Sequence, residues 1–355
     1  MILRVKRHYE INTFNNFTLT LNYDSIASTF GFDLYFNPDD FFHKELFQPG
    51  HFHECEIEHN GELLVRGYMV NHNFELSPIK KTSGISGYSL TGVFEDCNIP
   101  TSLYPLQSDG KTLLQIAQYL SNPFGINVVV DGSVSSKVNQ VYDVTTAKET
   151  SSIKDYLSSL ASQKNVILSH TNKGELLFTK AKTRQKPVFH FTGQMPSTSI
   201  SLSFNGRALH SHITAQKQAS SDGGNAGEVT IRNPYVPYIF KPKVTTQSSG
   251  TDNDTEEAAK NIRASSLKGI KLTIKTDIWE VDGKVIKPNQ VISVQSKELY
   301  LYEKSNWFIE SVSLSGNEKQ TIATINCVLP SVYDGLEPQN IFRRKDADKT
   351  HGGLV

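Results

Sequence analysis

The chain has 355 residues, 37% of them hydrophobic and 10% aromatic, and its 36 Lys and Arg residues balance its 36 Asp and Glu residues. This length exceeds what one core usually holds, so we expect several domains, and the zero net charge excludes a dedicated, strongly basic DNA binder. The three cysteines are odd in number and far apart, which favours a reducing compartment over a disulfide framework. The N-terminus has no secretion-signal pattern and no uncharged run is long enough for a bilayer, so we expect no membrane span.

Residues 1–98 have the pattern of a first β domain. Short alternating segments follow one another at 17–23, 55–58, 63–70 and 85–90. Turn signals at Pro49-Gly50 and Asn60-Gly61 separate them, and Asn-Gly between two extended segments is the strongest short hairpin signal. We therefore expect a compact antiparallel barrel or sandwich.

The hydrophobic period then changes, and two small helix-strand modules follow at 99–146 and 147–186. The first module combines a helix at 111–121, with one apolar stripe ended by Asn122-Pro123, and a strand at 126–130. The second module repeats this plan with a helix at 151–163 and strands at 165–169 and 175–179. These modules are predicted to form a small α/β insertion in the chain.

A second β domain is predicted at 187–336. Strand patterns return there, interrupted by loops at 220–227 and 245–254 and by a helix at 255–267 whose N-terminus carries Asp254 and Glu257. Asp282-Gly283 is the clearest hairpin signal of this part. Residues 337–355, which include Arg343-Arg344-Lys345, lack an apolar period and are predicted to form a flexible tail.

Three stretches of the chain follow one another in a characteristic order. The first stretch runs from Pro49-Gly50-His51 through Gly67-Tyr68 and 85–89 to Asp96-Cys97. The second is the helix at 112–120 with the strand at 126–131. The third runs from Lys241-Pro242 through Trp279 and Pro288-Asn289 to Leu329-Pro330. In this order they resemble the Mu-type baseplate hub proteins of contractile phage tails, which are related in fold to the T-even hub and to the spike base of secretion systems. Tyr88 departs from the family, where a basic residue is common at that position.

The resemblance implies a homotrimer in which two barrel-like domains per chain create pseudo-sixfold symmetry. Such a ring would adapt the sixfold tail tube to the threefold tail spike and let DNA pass, with neighbouring baseplate proteins as further partners. It implies no sequence-specific nucleic-acid binding and no membrane span. It places the protein in the virion, and in the host cytoplasm during assembly.

The predicted fold class is thus α+β and mainly β, with two antiparallel β-barrel-like hub domains flanking a small α/β, LysM-like insertion. No catalytic residue, cofactor or enzymatic activity is predicted. The alternative function is binding of peptidoglycan by the two small modules, and a less favoured one is a cell-wall hydrolase.

The sequence contains one candidate metal site, for which an ordinary strand without a bound ion is the alternative. His51, His53 and Cys55 fall at alternate positions, with His59 in phase, so we expect these side chains to share a strand face. Alternate residues on one strand let two side chains, but rarely three, reach one ion. Half-buried strand histidines are therefore the favoured interpretation, and His210 with His212 is a still weaker candidate.

Other motifs are better explained without chemistry. The Ser-x-x-Lys matches at Ser77 and Ser151 lack the companion motifs of serine acyltransferases. The carboxylate pairs Asp39-Asp40 and Glu256-Glu257 are adjacent rather than opposed across a substrate, as glycosidase chemistry requires. The aromatic and proline residues of Asn233–Lys243 favour an arm that packs on a neighbouring subunit over a sugar-binding platform.

Overall fold

A computed structural model describes residues 1–6, 9–77, 80–105, 107–148, 150–217, 228–247, 255–317 and 319–342; for residues 80, 81, 217 and 247 only the backbone is described. The chain divides into two compact units. Unit 1 comprises Met1–Lys180 together with Ser311–Ala323, and unit 2 comprises Ala181–Glu310 together with the chain from Thr324 onward.

Unit 1 is built on an antiparallel sheet. Its strands in chain order are β1 (Ile2–Val5), β2 (Tyr9–Ile11), β3 (Asn16–Asn22), β4 (Thr29–Tyr35), β5 (Glu54–His59), β6 (Glu62–Ser77) and β7 (Lys80–Ser89). They lie in the order β3, β4, β7, β6, β5, β1, β2. A short helix, α1 (Phe41–Leu46), follows β4 and is capped by Asp40, whose carboxylate accepts the amide hydrogens of Phe42 and His43.

The alternation of buried and outward side chains explains why these segments form a sheet. On β3 and β4 the residues Phe17, Leu19, Phe30 and Phe32 are buried, while their neighbours along each strand point outward. The turn at Asn60-Gly61 joins β5 to β6 with positive φ angles of 48° and 78° at its two residues, which is the backbone that Asn and Gly tolerate best. The hairpin predicted at this turn is confirmed.

The helix-strand part of unit 1 has a single core of its own. It contains α2 (Val93–Asp96), α3 (Leu113–Ser121), β8 (Val128–Val130), α4 (Ser135–Val138), α5 (Ile153–Gln163), β9 (Ile167–His170) and β10 (Leu176–Thr179). Thr112 and Gln115 form a capping box at the start of α3, and Ser152 caps α5. Leu113 and Ile116 of α3 and Leu157 of α5 belong to one buried cluster with Phe178 of β10. The two predicted modules thus share one core and one sheet, of order β8, β10, β9.

Unit 2 is also rich in strands. Its elements are β11 (His190–Thr192), β12 (Ser199–Phe204), β13 (His212–Lys217), β14 (Glu228–Arg232), β15 (Pro242–Gln247), α6 (Thr255–Ser266), β16 (Ile270–Thr276), β17 (Glu280–Val281), β18 (Lys284–Val285) and β19 (Val291–Ser296). Helix α6 packs Ala259 against Ile213 and Ala215 of the small sheet β14, β13, β15. Asp282-Gly283 forms the predicted hairpin between β17 and β18.

Two long strands contribute to both units. Strand β20 (Leu301–Gly316) pairs with β19 through residues 301–308 and with β3 through residues 311–316. Strand β21 (Thr321–Val328) is likewise divided at residue 324. Residues 301–316 therefore form one strand that takes part in both units.

The mainly β class with antiparallel sheets is confirmed, but the predicted barrel-like domains are not closed barrels. Among the described residues, β2 pairs only with β1, so the sheet of unit 1 ends in an open edge at this three-residue strand. Closure would need a further strand to bond that edge. No helix in the described part of the chain is both long enough and apolar enough to cross a membrane.

Candidate functional site

One face of the sheet of unit 1 carries small polar side chains. In one cross-strand row, Thr18 lies opposite Gly31, which lies opposite Ser86. In the next row, Ser313 lies opposite Thr20, with 3.0 Å between their hydroxyl oxygens. We call this surface the polar face: Asn16, Thr18, Thr20, Thr29, Gly31, Asp33, Asn71, Asn73, Gly84, Ser86, Ser313 and Ser315.

The chemistry of the polar face follows from its composition. Asp33 is the one charged residue in this set, and a shallow hollow of about 270 Å³ lies over Thr18, Gly31 and Ser86. Hydroxyl and amide groups exchange hydrogen bonds with water readily, whereas tight binding of nucleic acid requires Lys and Arg at several phosphates. The polar face therefore offers hydrogen-bonding groups to water, and the residues that define it include no Lys or Arg.

Two tyrosines lie at the end of the polar face that adjoins the helix-strand part of unit 1. Tyr68 and Tyr88 are cross-strand partners, and each follows a glycine. A Cβ on Gly87 would lie 1.8 Å from the carbonyl oxygen of Tyr68, and one on Gly67 would lie 2.0 Å from that of Tyr88. These two positions therefore admit only glycine at this strand spacing.

Tyr88 connects the sheet to helix α2. Its hydroxyl donates a 2.6 Å hydrogen bond to the carboxylate of Asp96. Burial, and then the hydrogen bond to Asp96, raise the pKa of Tyr88, so the phenol stays neutral. Tyr68, Asp96 and Cys97 of the first family-like stretch thus come together with Tyr88 around one hollow of about 950 Å³.

Buried polar contacts fix the helix-strand part to the sheet. The Nδ1–H of His170 donates to the carbonyl of Ser25 at 3.0 Å, so its Nε2 accepts from the hydroxyl of Ser28 at 2.7 Å. Ser169 donates to the carbonyl of Tyr23 at 2.5 Å. Burial lowers the pKa of His170 to about 4, and the ring is therefore neutral near pH 7. No sequence motif marks this histidine.

The candidate metal residues do not share one strand face. Strand β5 begins at Glu54, and Phe52, with a φ of 44°, interrupts the extended run between His51 and His53. The rings of His51 and His53 lie 5.1 Å apart, edge to face, and Nε2 of His53 bonds the carbonyl of Glu45 at 3.1 Å. Cys55 is buried, and burial raises the pKa of its thiol. In the part of the chain that is described, no three His, Cys, Asp or Glu side chains are grouped to hold a metal ion.

The other predicted motifs have structural partners. The ring of His212 lies tilted beside that of Phe240, with 5.3 Å between ring centroids. Lys154 forms an ion pair with Glu95. Glu256 pairs with Lys260 one turn along α6. The Ser-x-x-Lys match at Ser77 lies partly outside the described residues. So do Asp254, the predicted cap of α6, and Arg343-Arg344-Lys345.

One part of the chain matches a family of known proteins, and the fold as a whole is similar to that of solved phage tail proteins. Residues 91–180 match the model of a family described as "Baseplate hub protein gp44-like, second domain". The resemblance predicted from the sequence is thereby confirmed for the helix-strand part. No curated protein sequence matches the chain.

Solved structures with this fold come from several sources. The 43 kDa tail protein of prophage MuSo2 from Shewanella oneidensis superposes with a TM-score of 0.79 at 20% identity, over 94% of this chain and 98% of that one. A tail protein from Neisseria meningitidis gives a TM-score of 0.75 at 17% identity, over 94% and 97% of the two chains. An E. coli component of the type VI secretion system, described as similar to the T4 tail proteins gp27 and gp5, gives 0.54 at 10% identity, over 96% and 80%.

Proposed function

We propose that the chain is a structural, non-enzymatic baseplate hub protein of a contractile phage tail or of a related injection device. The match of residues 91–180 to the second domain of hub proteins carries this proposal. The similarity in fold to a solved phage tail protein over 94% of the chain supports it. The protein then belongs to the tail of the virion.

The proposed assembly is a homotrimeric ring. Each chain has two strand-rich units, so three copies supply six of them. Such a ring can present threefold symmetry to a spike and approximate sixfold symmetry to a tube. Spike, tube and neighbouring baseplate proteins are the proposed partners, and mass measurement in solution with and without tube or spike protein tests the assembly. A chain that stays monomeric and binds neither partner would contradict it.

The polar face is proposed to line the path of the DNA. Its hydroxyls, amides and single carboxylate offer no cation to the phosphates, so DNA passes without being gripped. Three lysines in place of Asn16, Asn71 and Ser315 should convert the face into a binding surface. The triple variant is expected to bind double-stranded DNA more tightly, with a steeper salt dependence, and to reduce DNA delivery by assembled particles.

A matched control places three lysines on the exposed positions Gln118, Gln140 and Val144 of the helix-strand part. Net charge then rises equally in both variants. If the control slows DNA delivery as much as the polar-face variant does, the polar face is not on the DNA path.

The division of the chain at residues 98, 146, 186 and 336, and the likeness of the insertion to LysM domains, stay predictions. Retention of the protein on purified peptidoglycan, with loss of retention when 99–186 is replaced, would favour wall binding over a purely structural insertion. If the protein is not retained on purified peptidoglycan, a role of the insertion in assembly is the remaining proposal.

A further inference from the structure

Unit 1 also carries an exposed aromatic groove. Tyr9, Phe14, Tyr35, Phe42 and Phe47 surround a hollow of about 520 Å³. The Tyr9 and Phe42 rings meet edge to face at 5.5 Å, yet Tyr35 remains 62% exposed and Phe42 55% exposed. We call this surface the aromatic groove. Large apolar side chains exposed together mark an interaction surface.

Unit 2 presents a matching projection. Tyr238, Ile239 and Phe240 are 97%, 61% and 78% exposed, and they form what we call the aromatic tip. Three consecutive large apolar residues left this exposed favour burial against a partner.

The base of the aromatic tip is fixed on both sides. Before it, Tyr235 is buried and donates from its hydroxyl to the carbonyl of Gln339 at 2.7 Å. After it, the amide of Lys241 donates to the Ser211 hydroxyl at 2.7 Å, and the Ser211 amide donates to the carbonyl of Lys241 at 2.8 Å. Side chains held on such a base lose little entropy on docking.

The charges beside the two surfaces are opposite. The segment 232–243 around the tip contains Arg232, Lys241 and Lys243 and no acidic residue. At the groove, Asp39 and Asp40 directly precede the exposed Phe41 and Phe42, and Glu10 is a lining residue, so acidic residues outnumber the one lysine of α1, Lys44. Attraction between such segments orients an encounter, and the aromatic contacts supply the buried area.

We propose that the aromatic tip of one copy of the chain inserts into the aromatic groove of a second copy. One copy offers a tip and accepts one, so the contact is heterologous and repeats from copy to copy until a ring closes. This inference rests on the proposed homotrimer and names the surfaces that join its subunits. A second copy is favoured over another partner because both halves of the contact, with opposite charges, occur on the same chain.

Cysteine cross-linking tests the contact directly. Phe42→Cys and Phe240→Cys are combined in a Cys97→Ser background, since Cys97 is the half-exposed native thiol and Cys55 and Cys327 are buried. Mild oxidation is expected to give disulfide-linked species of two and three chains on a non-reducing gel. Products of single-chain size alone would overturn the proposal.

The matched control pairs Phe240→Cys with Val144→Cys, which is 79% exposed. This pair is expected to form no linked species. Equal cross-linking in both pairs would show random collision and would also overturn the proposal.

A second measurement distinguishes failure of the proposed contact from failure of the proposed trimer. Phe240→Asp is expected to raise the dissociation constant for self-association about tenfold or more, because it removes an anchor residue of the interface. The control is Tyr300→Asp, at a tyrosine of the same unit that is 66% exposed. This control is expected to leave the dissociation constant unchanged. A trimer that survives Phe240→Asp without cross-links refutes the tip and groove but leaves the hub proposal standing. A parent chain that is monomeric at every concentration, both alone and with tube or spike protein, contradicts the trimer, and with it this contact.

Discussion

Strand β3 of unit 1 and strand β16 of unit 2 bury their inner side chains in the same alternating pattern, but their outward residues differ. Both have seven residues, and both alternate buried apolar side chains with outward ones. Leu19 and Leu272 are fully buried in their respective units. The outward neighbours of Leu19 are Thr18 and Thr20, whereas those of Leu272 are Lys271 and Thr273, and Lys275 is the next outward residue of β16. The inner alternation defines the fold, and the outer residues are free to differ with function.

The largest expected effects come from the buried leucines. Leu19→Ala and Leu272→Ala should each lower the free energy of unfolding by about 2–5 kcal/mol, because both side chains leave a cavity in a packed core. Denaturant titration followed by circular dichroism measures both. Trp279 and Trp307 both lie in residues 181–310, so tryptophan fluorescence reports on unit 2 separately.

The controls for these two variants are the outward neighbours. Thr18→Ala and Lys271→Ala should change the free energy of unfolding by less than about 0.5 kcal/mol. If an outward substitution costs as much as its buried neighbour, the two strands do not share the alternation described above.

The next effect is confined to unit 1 and depends on pH. His170 has a pKa of about 4 in the folded protein, below the usual value of about 6.5 expected when unfolded. Between pH 6.5 and 4 the unfolded chain takes up a proton that the folded protein does not, so stability falls as the pH falls through this window. The loss is about 3 kcal/mol at most and levels off below pH 4.

His170→Gln tests this assignment. The variant should be less stable at pH 7, since two buried hydrogen bonds change, but its unfolding free energy should fall less between pH 6.5 and 4 than that of the parent. Other histidines, such as His53, contribute equally to both curves. Parallel curves for parent and variant would show that His170 does not titrate in this window.

A third effect probes the close strand spacing next to the polar face. Gly87→Ala should destabilise unit 1 by about 1–3 kcal/mol, because the added methyl group meets the carbonyl of Tyr68 and forces β6 from β7. Thermal unfolding measures the loss. Gly132→Ala is the matched control, since nothing lies within 4 Å of its Cβ position, and it should leave the transition nearly unchanged.

The smallest expected effect is at Asp33, the charge on the polar face. Asp33→Asn should alter the free energy of unfolding by less than about 0.5 kcal/mol, because the side chain is exposed. A larger loss by denaturant titration would mean that the polar face has a structural role, unlike the lysines of β16.

Local signals in the sequence predicted the local structure well. Asn60-Gly61 and Asp282-Gly283 formed the expected hairpins because few residues adopt their positive φ angles. The helices at 113–121 and 153–163 followed from apolar stripes and capping residues. Helix α1 was missed because its six residues begin with two aromatic side chains that stay largely exposed.

Non-local features could not be predicted in the same way. Closure of a barrel depends on pairing between distant strands, and the three-residue β2 leaves an edge that no local pattern reveals. The polar face was missed because Ser, Thr, Asn and Gly on alternate positions form no motif, and only strand register shows that they share one surface. His170 was missed for a related reason, since its partners Ser25 and Ser28 lie more than 140 residues away.

Strand β20 has a consequence for the order of synthesis. The strand that covers β3 in unit 1 is supplied by residues 311–316, although β3 itself ends at Asn22. A ribosome that has made residues 1–300 of this sequence has therefore not yet made the strand that pairs with β3. The finished polar face becomes available only after residues 311–316 are made, when most of unit 2 has also been translated.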